Sequence, residues 1–296
     1  MDYPFQNYST IQCVQGYIAL MFVLPGSIDA AHELIHRPQT GFRIIGFMNM
    51  AVMQFAVYPI EHIYLHHKYV GTKRDPITCP KNKNFYLYTF EAWTSAHRFV
   101  FNWSKKAFAV CMMANFTYLG ILLAHAMNEY GNWNMAFWKV MVFYGISFGC
   151  FAFLELVEYI EHYGLICRDE KDEHKIPEIC SWNADINIIN NWMIFRFQRH
   201  SDHHMNAYKV YTTLELTDKM PKFPFSFLDG SLYGLIPPLW YYIMNPYVDE
   251  VLENKPISKG HRKFVYYLVM FSSTFVVLNS LKDAFLVYQV NSGGAL

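Results

Sequence analysis

Two apolar runs, Lys106 to Met127 and Ala136 to Ile160, are separated only by a short, largely polar stretch from Asn128 to Asn134. In hydrocarbon every backbone N–H and C=O must find a partner within the protein, so a lipid-facing run of this kind is confined to helix. Roughly 20 apolar residues suffice to cross a bilayer. The two runs are therefore expected to form a membrane hairpin, broken only by His125 in the first helix and by Lys139, Glu155 and Glu158 near the ends of the second.

Other segments fit around this hairpin. Ile11 to Ala31 reads as a further span with Asp29 near its end. Arg43 to Pro59 is apolar but shorter, interfacial or re-entrant, and Phe264 to Leu281 is an uncertain span broken by Ser272, Ser273 and Thr274. Leu232 to Met244 is too short to cross and carries Pro237-Pro238, so it is expected to lie at the interface or pack on protein. The expected fold class is all-α integral membrane, with about three to four transmembrane helices, a histidine-rich cap on the cytoplasmic side and interfacial helices. No linker divides the chain, so residues 1–296 read as a single domain.

Composition agrees with a membrane chain. Only 16% of residues are charged, against about 25% in soluble proteins. The formal net charge is zero and no basic stripe stands out, which argues against nucleic acid as a partner. The basic patch Lys68, Lys73, Arg74, Lys81, Lys83, Arg98 and Lys105 belongs on the cytoplasmic face by the positive-inside rule. Arg168, Lys171, Lys175, Arg196 and Arg199 return to that face after the hairpin. Met1 to Pro4 does not open a cleavable signal peptide. Cys13, Cys79, Cys111, Cys150, Cys167 and Cys180 show no paired spacing and read as free thiols on a reduced face.

Of thirteen histidines, nine fall in tight groups. His32 and His36 form HxxxH; His62, His66 and His67 form HxxxHH; His200, His203 and His204 form HxxHH; His162 stands just past the hairpin. On a helix, positions i, i+3 and i+4 share a face, so each box aims imidazoles the same way. Neutral imidazole suits iron, copper, zinc and nickel, and nine exceed what one ion can hold, so a dinuclear centre is the simplest reading. His97, His125, His174 and His261 stand apart and are expected to have no metal role. His32-Glu33 with His36 also matches HExxH, the zinc peptidase pattern, but that would leave the other boxes idle.

The boxes must converge. As one straight helix, residues 37 to 61 would span about 37 Å at 1.5 Å per residue, placing the first two boxes on opposite sides of a bilayer. The segment is therefore expected to lie in the interface or fold back, with Pro38, Gly41, Gly46 and Pro59 as places to bend.

The motifs HELIHR, EHIYLHHKYVGTKRDP, EYIEHYGL, FQRHSDHH and LIPPLWYYIMNP resemble those of the membrane alkane monooxygenases, within the histidine-box desaturase/hydroxylase superfamily. The likeness runs from Gly26 to Val248; the EHYGL and QRHSDHH elements are more specific than the boxes alone. The resemblance implies two non-heme irons, no heme, and ligands His32, His36, His62, His66, His67, His162, His200, His203 and His204. It implies terminal hydroxylation of an aliphatic chain: O2, two electrons and two protons give a primary alcohol and water. It further implies electrons from a rubredoxin-like or other small carrier with its reductase, and a multi-pass location in a bacterial inner membrane or endoplasmic reticulum. Glu33, Glu61, Glu161 and Asp202 flank the boxes and are expected to accept hydrogen bonds from the ligands' second ring nitrogens.

Phe22, Leu24, Phe116, Leu119, Phe148 and Phe151 are candidates to line an apolar substrate tunnel. Arg196, Arg199 and the Lys68–Arg74 patch are candidates to dock an acidic carrier. Family members usually carry several helices before the first box, where this chain has about one; Leu65 and Glu158 replace a usual Gly and Asn. The alternatives are an acyl-lipid desaturase or fatty-acid/sterol hydroxylase of the same superfamily, and a truncated, inactive membrane protein.

Overall fold

A computed structural model describes residues 25–171, 176–184 and 195–274. Among them the secondary structure is helical, with one isolated bridge between Asn183 and Lys222 and no strand. The expected span from Ile11 lies outside the described residues up to 24, as does the end of the Phe264 to Leu281 segment beyond 274.

Helix α1 (Pro25–Ile35) carries the first box, and α2 (Thr40–Val52) folds back onto it. Gly46 makes the contact possible. A Cβ there would lie 2.7 Å from Ile35 Cγ2 and 2.9 Å from the Ala31 carbonyl oxygen. Gly41 and Gly46 thus sit inside a helix, and Pro59 opens a short one, α3 (Tyr58–Glu61). The actual bends fall at Arg37–Gln39, which includes Pro38, and at Met53–Val57.

The second bend is the strained one. Gln54 has φ of 61°, left-handed for a residue with a Cβ. Asn115, in the middle of the later helix α6 (Lys105–Tyr130), holds it: its amide donates to the Gln54 carbonyl at 3.2 Å and accepts from Ala56 N–H at 3.4 Å, while Gln54 Nε2 donates back to the Asn115 carbonyl at 3.3 Å. Irregular backbone beside apolar helices needs such partners.

After α3 come a π-helical turn, His62–His66, and a last short turn α4 (His67–Tyr69). Helix α5 (Phe85–Trp103) begins at Asn84, whose side chain accepts from Leu87 N–H; α6 begins at Ser104, which accepts from Ala107 N–H. Helix α7 (Trp133–His162) follows α6 after only Gly131 and Asn132, so the hairpin turn is tighter than expected. Both helices are long and apolar enough to cross a membrane. Val110, Met113, Phe116 and Ile121 on α6, and Phe137, Trp138, Met141 and Phe148 on α7, are exposed. An apolar face of that extent is one that lipid would cover.

Beyond α7 lie α8 (His200–Met205), α9 (Phe227–Gly234), α10 (Pro237–Glu253) and a helix over 259–274, α11. One core gathers Ile28, Ile35, Met50, Phe55, Phe151 and Leu154. The other gathers Tyr159, Tyr163, Trp182, Phe225 and Trp240, so the Leu232 to Met244 segment packs on protein. The end of α7 runs between the two cores, and Leu154 to His162 are all buried.

Candidate metal centre

All nine boxed histidines are buried, each at most 9% exposed, and they divide into two sets. His32, His36, His62, His67 and His203 form one; His66, His162, His200 and His204 form the other. In the first set Nε2 of His62 lies 2.8 Å from His32 Nε2 and 3.0 Å from His67 Nε2, which is 3.1 Å from His203 Nε2. In the second, the Nε2 atoms of His162, His200 and His204 form a triangle with sides of 3.0, 2.9 and 3.3 Å.

The π-turn decides which histidine joins which set. An α-helix would aim His62 and His66 together at i and i+4. Instead His67 N–H donates to the His62 carbonyl, five residues back, and the wider turn brings His62 and His67 to one set and sends His66 to the other. His62 and His66 still share a face, where both meet Glu158, but each belongs to a different histidine set. In α8, His200 and His204 keep the i, i+4 relation within one set, and His203 faces the other.

The donors fit a cation. A neutral imidazole has one N–H and one lone pair. Three nitrogens in mutual contact cannot be assigned donor and acceptor roles so that all three contacts are hydrogen bonds; one pair is always alike. Metal–nitrogen bonds of about 2.1 Å at right angles place neighbouring nitrogens about 3.0 Å apart, close to the observed spacings. Burial and repulsion from neighbouring imidazoles hold His36, His62, His67, His200 and His204 well below the usual histidine range. Burial and then His66 push His203 down to about 3. The neutral ring is the ligating form. The chemistry of these sets is that of a histidine-rich metal site.

Outside the sets, His97 bonds to the Trp93 carbonyl, His125 faces Glu129 at the hairpin tip and His261 bonds to the Ile243 carbonyl; His174 lies outside the described residues.

The four flanking carboxylates fare differently. Glu161 is buried with Oε2 3.4 Å from His200 Nε2. Glu61 is buried with one oxygen unpaired, and burial, then Asp75, push it well up. Glu33 pairs instead with Arg37 at 3.0 Å and accepts from Tyr211 N–H. Asp202 accepts from Lys209, Asn206 and Glu215 N–H, and reaches His203 only as a nearby charge. Glu33 and Asp202 have better donors closer to solvent, Glu61 pairs with no histidine among the described residues, and Glu161 faces Nε2 of His200, so none of the four makes the expected contact with a second ring nitrogen.

Two carboxylates outside that group also face the histidines, and Asp75 is closer than any of the four. Asp75 Oδ2 accepts from His66 Nδ1 at 2.9 Å and also from Thr78 N–H and the Thr78 hydroxyl. Burial pushes His66 down, but the charge and hydrogen bond of Asp75 more than reverse it. Glu158 lies between the two sets, 3.6 Å from both His66 Nε2 and His162 Nε2 and 3.8 Å from His62 Nδ1, and accepts from the Tyr58 hydroxyl. The i, i+4 rule applied to His162 would have found Glu158. Asp75 offers no periodic signal, only its place in the GTKRDP end of the second box.

Two openings reach the boxed histidines, one of them at His67 and His204 beside Met205 to Lys209, and a third lies apart among the apolar helices. A groove of about 560 Å³ reaches His36 and His67 between Arg37, Arg43, Lys68 and Tyr208. A cavity of about 250 Å³ lies among Met53, Phe55, Trp93, Phe116, Phe148 and Phe151. It includes three of the expected tunnel residues; Leu119 is not among its walls, and Phe22 and Leu24 lie outside the described residues. Arg196 and Arg199 donate to the carbonyls of Thr212 and Leu214. A further correction concerns the thiols: Cys167 and Cys180 are joined as a disulfide, while Cys79, Cys111 and Cys150 are free and buried. The two bonded cysteines are brought together by folding, not by local spacing, and Cys13 lies outside the described residues.

A sequence model of the fatty acid desaturase family matches residues 11–221. The chain is 30% identical over 255 residues to alkane 1-monooxygenase 2 of Alcanivorax borkumensis, covering 81% of this chain and 65% of that protein. It is 30% identical over 244 residues to alkane 1-monooxygenase 1 of Pseudomonas aeruginosa, covering 79% and 63%. It is 23% identical over 238 residues to the xylene/toluene monooxygenase hydroxylase component of Pseudomonas putida, covering 78% and 63%. The chain thus spans less than two thirds of the length of these relatives. With its histidine boxes gathered into one buried centre, this chain belongs to the fatty acid desaturase family, the histidine-box superfamily, and its similarity there is to the alkane monooxygenases.

Proposed function

We propose that this chain is a non-heme di-iron membrane monooxygenase that hydroxylates the terminal carbon of alkanes or similar aliphatic chains. The observation that carries the reading is the division of nine buried imidazoles into sets of five and four, each with nitrogens converging at the spacing of ligands around one ion. The relatives' names supply the substrate class, hydrocarbons without a polar handle. Iron, once bound, supplies with O2 and two electrons the oxidant for an unactivated C–H bond.

The protein's part is position and exclusion of water. Asp75 keeps the proton of His66 on Nδ1, leaving Nε2 to face the metal; the Cys180 carbonyl does the same for His162. Glu158 and Glu161 supply carboxylate beside the ligand nitrogens. The apolar cavity approaches from the hairpin side. Its wall residue Phe55 packs 5.8 Å from Tyr58, whose ring stacks on His62 at 4.7 Å, so a chain seated there points toward the centre. The separate groove with Arg37, Arg43 and Lys68 suits an acidic rubredoxin-like or other small electron carrier, itself reduced by its reductase. In this reading the whole chain is one multi-pass domain in a bacterial inner membrane or the endoplasmic reticulum, with the centre on the cytoplasmic side where its basic residues lie.

The family match also supports a second reading, an acyl-lipid desaturase or fatty-acid hydroxylase. One assay separates them. Membranes with the expressed chain receive iron, O2, a reductase–carrier pair, and medium-chain alkanes mixed with acyl lipids. Formation of 1-alkanols, abolished by His203→Ala, is expected. New double bonds or hydroxyls on acyl lipid instead would overturn the alkane reading.

A further inference from the structure

Cys167 and Cys180 are bonded to each other, and both lie against the turn after the second box. A Cβ on Gly71 would be 2.6 Å from the Cys180 sulfur and 2.7 Å from the Cys167 sulfur; with φ of +77° this position suits glycine on both counts. The Gly71 carbonyl accepts from the N–H groups of Cys167 and Arg168 at 2.9 and 3.1 Å. From Gly71 a continuous path runs inward: its N–H donates to Thr78 Oγ1, the Thr78 hydroxyl donates to Asp75, and Asp75 accepts from His66. On the other side the Cys180 carbonyl accepts from His162 Nδ1 at 3.3 Å, and two residues on Trp182 N–H donates to the Glu161 carbonyl. Both ends of the bridge therefore lead to histidines of the four-membered set and to none of the other five.

We propose that the Cys167–Cys180 disulfide is a reducible staple that holds the four-histidine half of the metal centre, so that a dithiol reductant opening it releases metal from that half alone. The proposal rests on the metal-centre reading. Cys167 is half-buried and Cys180 fully buried, so attack comes at Cys167. A thiolate of the reductant attacks Cys167 Sγ, the S–S bond breaks and Cys180 leaves as thiolate. The reductant's second thiol then displaces Cys167 from the mixed disulfide. The dithiol is oxidised by two electrons to its own disulfide, and its two protons end on the two cysteines. Bonded sulfurs sit about 2.0 Å apart, but non-bonded heavy atoms need about 3.5–4.0 Å. With Gly71 packed against both, the separation displaces the 71–78 turn or the Cys180 carbonyl, and with it His66 or His162.

The test uses the whole chain purified in detergent and loaded with iron. Alkylation under denaturing conditions, with and without prior reduction, counts the bonded cysteines, and metal analysis counts iron. The expected result is protection of Cys167 and Cys180 before reduction and a twofold fall in iron per chain after dithiothreitol treatment and desalting, restored on reoxidation with iron. Cys167→Ser/Cys180→Ser, which needs no chelating reductant, should match the reduced protein. His203→Ala in that background should remove what iron remains, and His66→Ala should not. Alkylation of both cysteines without reductant, or unchanged iron on reduction, overturns the staple. If the oxidised chain binds no metal, the metal-centre reading fails, and hydrogen exchange still decides the staple: reduction should speed exchange at Cys167 and Trp182 amides at least tenfold, and unchanged rates overturn it.

Discussion

Asp75 is 2% exposed and spends both carboxylate oxygens on the segment that follows it and on His66. Removing such an orienting partner lowers metal affinity by about 10–100-fold. Asp75→Asn should do so in a chelator titration; Glu33→Gln, whose partner is Arg37, should leave affinity unchanged. Equal losses in both would refute the assignment. Acid should act on the same nitrogens. His203 titrates near 3 when folded against 6.5 as a free side chain, so the unfolded chain binds its proton more readily. Its contribution to stability is intact above about pH 6.5 and is lost as pH falls toward 3, and protons displace metal in the same direction. Metal release on acidification across that window is expected; release only on alkalinisation would contradict it. The nine histidines were legible because their spacing is local. The partnership of Asp75 with His66 was not, since it depends on how the chain turns at Gly71, and neither was the Cys167–Cys180 bridge.

At the scale of elements, the centre depends on α1 and α2 folding against each other and on the bend at Gln54. The need for a fold-back followed from length alone, because the first two boxes had to meet. Its location did not: Gly46 looked like a hinge and is a point of contact, whereas Gln54, an ordinary residue, takes the strained conformation. Gly46→Leu should force α1 and α2 apart against Ile35 and the Ala31 carbonyl, separating His32 and His36 from His62; metal analysis should show loss at the five-histidine set. Asn115→Leu leaves Ala56 N–H and the Gln54 carbonyl without partners, and unsatisfied buried groups cost about 1–3 kcal/mol each. A thermal melt in detergent should record a lowered midpoint, and an unchanged midpoint would remove Asn115 as the clamp. The π-turn is a further feature that pattern reading missed. Helical spacing assumes an α register, and one i→i+5 bond redistributes three histidines between two sets.

Taken as a whole, the molecule sets its polar centre at the end of an apolar hairpin, with the last turns of α7 buried between two aromatic cores and its earlier turns exposed. The hairpin was plain in the sequence because lipid imposes length and composition. The partition of the centre into five and four was hidden, because it arises from packing among four separate stretches of chain. That partition makes a sharp demand on stoichiometry. Iron analysis of the purified chain, combined with Mössbauer spectroscopy, should find two non-heme irons per chain, with His66→Ala and His203→Ala each reducing the count. A single ion, zinc in place of iron, or a heme absorption band would contradict the account.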